Sequence, residues 1–535
     1  MKKRVLSVFM ALALCLSMQP TTTFAENAGT VTEQEELSNT GDTVSGNDVS
    51  GGDAGDANAD VQDAQALIDA LPDEVTAENA DEVEALLRAI DEAMAKLTEE
   101  QVAGLDMTRY ENICEALTGL VAVQAGEHTD HPICGASCKH GDDAHNLPAG
   151  ETWTPIENES QLVWNMKAGN YYLADDLVLN KQWSISSNSI VLCLNGHSIK
   201  MNTNDTAISV GAAGTFTLCD CNGNGTITHD KQADGTTVYT GAGVAVSSGG
   251  EFNMYGGTIT GNTLGDYGEG GGVHVEYDGT FNMYGGTITE NSAPSGGGVS
   301  VKYNGTFNMY DGTISNNISV GGYGGGGVYV DTNGKFTMSN GSISNNEANG
   351  YSGGGVYVYD GASGSGTFTM TGGIINNNTS SQGGGVYLEK VVDGSGSTFI
   401  MEGGSITQNT ANYTGNGAGG GVYVAKGSNF TVSGDVQIKG NKNVNKANNV
   451  DKDNNVYLPD STTITIADNL AEGASIGVTM YTTPREGAPV TFAKAGEGCK
   501  LSDDDAARFT SDQGCYPYRM DDESEVKMFR YKPQK

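Results

Sequence analysis

Proline is scarce in this chain, at 11 of 535 residues, and tryptophan scarcer, at 3. Basic residues are also few: 28 Lys and Arg stand against 66 Asp and Glu, for a net charge of −38. A surface of that sign repels phosphate backbones and anionic lipid, which excludes nucleic acid as a partner class. Long apolar runs are missing after Leu16, so no membrane-spanning segment is expected beyond the N-terminus. Glycine is the opposite case, with 77 residues. It follows no Gly-X-Y period, which excludes collagen.

The first 25 residues read as a signal peptide. Lys2, Lys3 and Arg4 precede an apolar run from Val5 to Leu16, and Thr23-Phe24-Ala25 offers a small-residue cleavage site. The run is too short to span a bilayer comfortably. The expected location is therefore secreted, extracellular or associated with the cell surface. Residues 26–60 hold nine acids, no Lys or Arg and no aromatic, the composition of a disordered acidic linker. From Val61 the period becomes helical. Leu67, Ile68 and Leu71 share one face, and Pro72 ends the segment. Val83, Leu86, Leu87, Ile90, Met94 and Leu97 recur at helical spacing, and Tyr110, Ile113, Leu117 and Leu120 suit a third helix. Residues 61–125 thus form a small α-helical module, whose run from Leu67 to Leu105 resembles the helical spacer modules of bacterial surface proteins.

One unit recurs seven times between residues 243 and 441. The tripeptide Val-X-Val or Val-X-Leu begins at Val244, Val273, Val299, Val328, Val356, Val386 and Val422. A second strand is led by Phe252, Phe281, Phe307, Phe336, Phe368, Phe399 and Phe430, with Met or Val two residues on. A third is centred on Ile259, Ile288, Ile314, Ile343, Ile375, Ile406 and Ile438. Three short period-2 strands per unit, parted by Gly-rich turns, cannot bury their apolar faces alone. Stacked copies can, each strand pairing with its equivalent in the next. The fold class expected is mainly β: a right-handed parallel β-helix solenoid over 161–495, after the N-terminal α-helical module, with a C-terminal cap or tail over 496–535. An Asn three residues after each Ile, from Asn262 to Asn441, suits a ladder of stacked side chains that satisfies turn backbone.

The I-x-x-N element followed by Gly-Gly-Gly-Val resembles the repeats of polymorphic outer-membrane proteins, and is closer to β-helix repeat proteins secreted by Gram-positive gut bacteria. The resemblance covers roughly residues 128–460. Ile stands where the former group has Phe, and no translocator barrel follows. The resemblance implies a fold more than a function, because this scaffold carries adhesins, lyases and hydrolases alike.

The middle residue of each Val-X-Val points away from the core if both valines point in. That column reads Ala245, His274, Ser300, Tyr329, Tyr357, Tyr387, Tyr423. An exposed ladder formed by Tyr329, Tyr357, Tyr387 and Tyr423 is the candidate ligand-binding surface, suited to sugar rings or to a protein partner. Self-stacking of strand-favouring tyrosines explains the same column without a ligand. No catalytic residues are assigned. Asp278, Asp331, Asp360, Glu389 and Glu402 are scattered, and the elements of pectin-cleaving hydrolases are missing. The run from Asp220 opens like a calcium loop but carries Lys231 at its twelfth position, where a bidentate Glu is needed, so a turn is the default.

Eight cysteines remain after the signal. An exported protein permits disulfides among them, with Cys193 to Cys219 or Cys221, and Cys499 to Cys515, as candidates. Residues 126–160 form a Cys/His-rich segment leading into the solenoid. There His131, Cys134, Cys138 and His140 have spacing that suits a structural zinc, and equally a disulfide-closed or solvated loop. No other cofactor is implied. The sequence favours a non-enzymatic adhesion or interaction protein with extracellular glycan or protein partners. A polysaccharide-active lyase or hydrolase and a passive spacer are the rival readings.

Overall fold

A computed structural model describes residues 56–72, scattered positions between 83 and 113, and 153–533 apart from short gaps at 164–165, 233–237, 267, 362, 392–395, 414–416, 446–449 and 521. The signal segment and the zinc candidates His131, Cys134, Cys138 and His140 lie outside the described residues. The chain divides into two units, 1–114 and 115–535.

In the first unit a helix runs over Asp56–Asp69, beginning inside the segment expected to be linker. Its Ala64 and Ile68 are buried, as are Val83, Leu87, Ile90, Met94, Tyr110 and Ile113. Of the periodic positions, Leu67, Leu86 and Leu97 are only partly buried, and Leu117 and Leu120 lie outside the described residues.

The second unit is a parallel β-solenoid of about 11 turns. The repeat sets its register: Val244 pairs with Val273, Phe252 with Phe281 and Ile259 with Ile288, and the same matching continues copy by copy. Aliphatic and aromatic side chains thus fall into continuous internal stacks. From Phe216 to Phe430 the phenylalanine rings lie over one another with centroids 4.6–5.4 Å apart. Trp183 meets the first of them edge-on, at 5.7 Å. The winding takes in Trp153–Ile156 upstream and Phe509–Ser511 downstream of the strongest repeats.

The glycine triplets serve two physical purposes. The first Gly of the triplet turns the corner with positive φ, as at Gly325 (φ 73°). The third has ordinary φ but no room for a side chain: a Cβ on Gly327 would stand 2.6 Å from the Gly355 carbonyl oxygen of the next coil. The asparagine ladder is continuous. Asn346 Nδ2 donates to Asn378 Oδ1 at 3.0 Å and to the Ile314 carbonyl at 2.9 Å, and Asn317 Nδ2 donates to Asn346 Oδ1 at 3.0 Å. A fourth strand follows the asparagines, one the sequence pattern does not announce. Pairs such as Ser292–Ala293 and Ile318–Ser319 form a second narrow sheet. Two-residue ladders carry too few alternating positions to be read from period alone. At the C-terminal end, Tyr516–Arg519 and Glu525–Phe529 pair antiparallel, so the uniform winding stops there.

Candidate functional site

The outward side of the Val-X-Val strands carries the chemistry. Parallel register stacks Tyr329, Tyr357, Tyr387 and Tyr423 as expected, and adds Tyr457. Successive ring centroids are 5.7, 5.1, 4.8 and 5.3 Å apart. Exposure is where the expectation fails. Tyr329 and Tyr357 are 0% and 2% exposed, and only Tyr387 and Tyr423 are half-buried. Strand alternation gives the direction of a side chain but not what folds over it. Here Tyr323 stacks on Tyr329 at 6.2 Å, and Tyr359 tilts against Tyr323 at 4.7 Å. Burial pushes the phenol of Tyr387 well above its usual range, and those of Tyr359 and Tyr457 up to about 12. All three hydroxyls stay protonated at neutral pH.

Solvent meets the edges of this stack instead. Tyr323, Tyr413 and Tyr481 are 49%, 41% and 65% exposed. Tyr413 and Tyr481 both act electrostatically on the Tyr457 hydroxyl, which places them beside the upper column. A further exposed pair, Tyr277 and Tyr303, stacks at 5.0 Å on a turn. Its tyrosines lie outside any strand, so no periodic signal marked them. Tyr255, Tyr284 and Tyr310, each just after the second strand of its coil, also stack, at 4.5 and 4.8 Å.

Below the tyrosines the same face turns ionic. Lys302 Nζ lies 2.8 Å from Glu269 Oε2 and 4.0 Å from Glu276 Oε2. His274 Nε2 lies 3.3 Å from that same Glu276 oxygen. The Tyr329 hydroxyl donates to Asp331 Oδ2 at 3.2 Å, and Thr332 Oγ1 donates to Asp331 Oδ1 at 2.9 Å. Burial holds the Asp331 carboxyl above the usual carboxylate range despite those donors. The hydrogen bond from His274 holds Glu276 below it. Of the carboxylates read as scattered only Asp331 lies here, with Glu269 and Glu276 missed in the sequence; Glu276, Lys302 and Asp331 each follow the last valine of a coil, one coil apart. Glu269 joins them from the loop before its glycine triplet.

The cysteine expectations are corrected. No disulfide is formed among the described cysteines. Cys193 and Cys219 are register partners on adjacent strands, and the Cys193 sulfur stands 3.5 Å from that of Cys221, well beyond a bonded S–S length of about 2.0 Å. Cys219 points its thiol at the Leu192 carbonyl oxygen instead, 3.6 Å away. Cys499 and Cys515 are likewise unjoined: Cys515 belongs to the core, where its thiol faces the Gln513 carbonyl oxygen at 3.9 Å, and Cys499 packs against that core. Asp220 serves as a turn residue. Its carboxylate accepts the backbone N–H of Gly196 at 2.7 Å and of Gly225 at 2.6 Å. Among the described residues no group of three or more His, Cys, Asp or Glu is placed to hold a metal ion. Nor is any described helix long and apolar enough to cross a membrane.

No protein-family model, curated protein or solved structure matches this chain. The fold rests on the repeat and its register, and the function on the chemistry of this face.

Proposed function

We propose that the chain is an exported interaction protein, secreted or held at the bacterial cell surface, whose solenoid offers a tyrosine-lined lateral face to a glycan or protein ligand. The observation that carries this reading is the unbroken tyrosine stack from Tyr329 to Tyr457, flanked by the exposed rings of Tyr323, Tyr413 and Tyr481. Aromatic faces bearing hydroxyls suit sugar rings and protein hot spots alike. The buried rings hold the floor rigid, and the half-buried and exposed rings make contact. Screening the secreted chain against glycan and protein arrays tests this. The double variant Tyr413→Ala/Tyr423→Ala is expected to lose the captured ligand while keeping its circular dichroism. Equal capture by the variant would remove the face from the function.

A second reading draws on the ionic cluster. Glu269 and Glu276 meet on one ammonium, with Asp331 on the next coil, and carboxylates about 5–9 Å apart serve glycoside hydrolysis. The ion pair with Lys302 occupies those oxygens, which favours a structural role. Release of reducing ends or unsaturated products from polysaccharides, abolished by Asp331→Asn, would establish the enzymatic reading over the first.

A further inference from the structure

The acids along the tyrosine face differ in how their charge is met. Glu276 and Glu269 have Lys302 and His274. Asp331 has hydroxyl and amide donors. Glu389 has neither. It is half-buried, it follows Leu388 in the same register column as Asp331 and Tyr359, and among the described residues no ion pair or hydrogen bond reaches its carboxylate. Burial alone acts on it, raising its carboxyl above the usual range. An acid held this way leaves charge unsatisfied, and a half-buried carboxylate gains most from a charged donor.

Its surroundings are aromatic. Tyr387 on its own coil and Tyr423 on the next are stacked 4.8 Å apart at 18°, both half-buried. Glu389 follows Tyr387 by two residues, on the same side of the strand, and Tyr387 is the register partner of Tyr423, whose hydroxyl feels both the Glu389 carboxylate and Tyr413. Gln382, whose Nε2 donates to the Gly417 carbonyl at 3.2 Å, adds a neutral amide that also acts on the Tyr423 hydroxyl.

We propose that Glu389, with the rings of Tyr387, Tyr413 and Tyr423, binds the protonated amine of a 2-amino sugar within an extended glycan. The inference rests on the reading of the tyrosine face as a binding surface and names its ligand class. An ammonium beside a carboxylate and over tyrosine rings gains a charge-assisted hydrogen bond and cation–π attraction together. A carboxylated or sulfated glycan would meet Glu389 and a chain of net charge −38 and be repelled. A neutral glycan would leave the carboxylate unpartnered. A glycan longer than one sugar fits because Tyr387 and Tyr423, on successive coils, present two half-buried rings 4.8 Å apart beside the exposed Tyr413.

The test is titration calorimetry of the whole secreted chain with two probes: a glucosamine oligomer with free amines, and the same oligomer fully N-acetylated. The wild type is expected to bind the free-amine oligomer at least tenfold more tightly, with affinity falling as salt rises. Glu389→Gln, nearly isosteric, should erase the difference without lowering the thermal midpoint. Equal binding of both probes, unchanged in Glu389→Gln, would overturn the amine inference and leave the tyrosine face standing. Preference for polylysine over both oligomers would also overturn it, by assigning the carboxylate to a basic protein. Absence of binding to these and to every arrayed ligand, in wild type and Tyr413→Ala/Tyr423→Ala alike, would remove the binding face itself.

Discussion

Each asparagine of the ladder holds its turn by serving two coils at once. Asn346 accepts from the backbone N–H and the side chain of Asn317, and donates to Asn378 and to Ile314. Replacing it with Ala would strand two buried donors and a carbonyl. Asn346→Ala should therefore destabilise the solenoid by roughly 3–5 kcal/mol, measured by denaturant unfolding. A loss below about 1 kcal/mol would show that water takes over the ladder. The sequence displays these asparagines because they recur at a fixed offset from an apolar anchor. It does not display where the ladder ends. His229 Nδ1 meets Asn262 Oδ1 at 2.8 Å at one end, and Asp512 receives Asn455 Nδ2 at 2.8 Å at the other. Both caps sit outside the repeat, so no spacing points to them. The tyrosine column shows the same limit. Its register was legible, but its burial depends on Tyr323 and Tyr359, which reach it from outside the repeating strands.

At the level of the coil, the backbone contact between glycines decides how closely turns stack. Gly327→Ala places a methyl against the Gly355 carbonyl and should destabilise by about 2 kcal/mol or more, whereas Gly265, with open space around it, should tolerate Ala with almost no change. Comparable losses at both positions would mean that conformational entropy, not cross-coil contact, accounts for the triplets. The phenylalanine stack gives a larger effect. Phe307 lies 4.7 Å from a ring on either side, and Phe307→Ala should cost about 3–5 kcal/mol in the same unfolding measurement. Parallel strands end in unpaired edges, and an uncovered edge invites pairing with another chain. Tyr516–Arg519 and Glu525–Phe529 meet that hazard by closing antiparallel, with Glu525–Phe529 also pairing antiparallel with Val490–Ala495. The sequence reading assigned 496–535 to a cap or tail from position alone. Its antiparallel pairing was not legible, because Val526 and Phe529 do not recur at the repeat's spacing that sets the coils.

The whole molecule carries its charge unevenly between states. Burial raises the carboxyls of Asp331, Glu389 and Asp512. The folded chain therefore holds more protons than the unfolded chain from about pH 4 up to those raised values, and in that window stability falls as pH rises. The excess of 66 acids over 28 bases acts in the same direction, since self-repulsion weakens as acids take protons. Glu276, lowered by His274, and Asp176, lowered by Lys200, act the other way: their contribution is present above about pH 4 and is lost below it. The midpoint of thermal unfolding should consequently rise as pH falls from neutral toward about 4 and drop again below it. Asp512→Asn should shrink the rise, because it removes one of the three raised carboxyls while keeping an oxygen to receive Asn455. A midpoint that is flat or falling as pH drops from neutral toward about 4 would mean that the buried acids open to solvent before unfolding. The same protonation bears on binding. Glu389 must be ionised to hold an amine, so acid that stabilises the solenoid should release the proposed ligand, and the pH of release should follow Glu389 rather than unfolding.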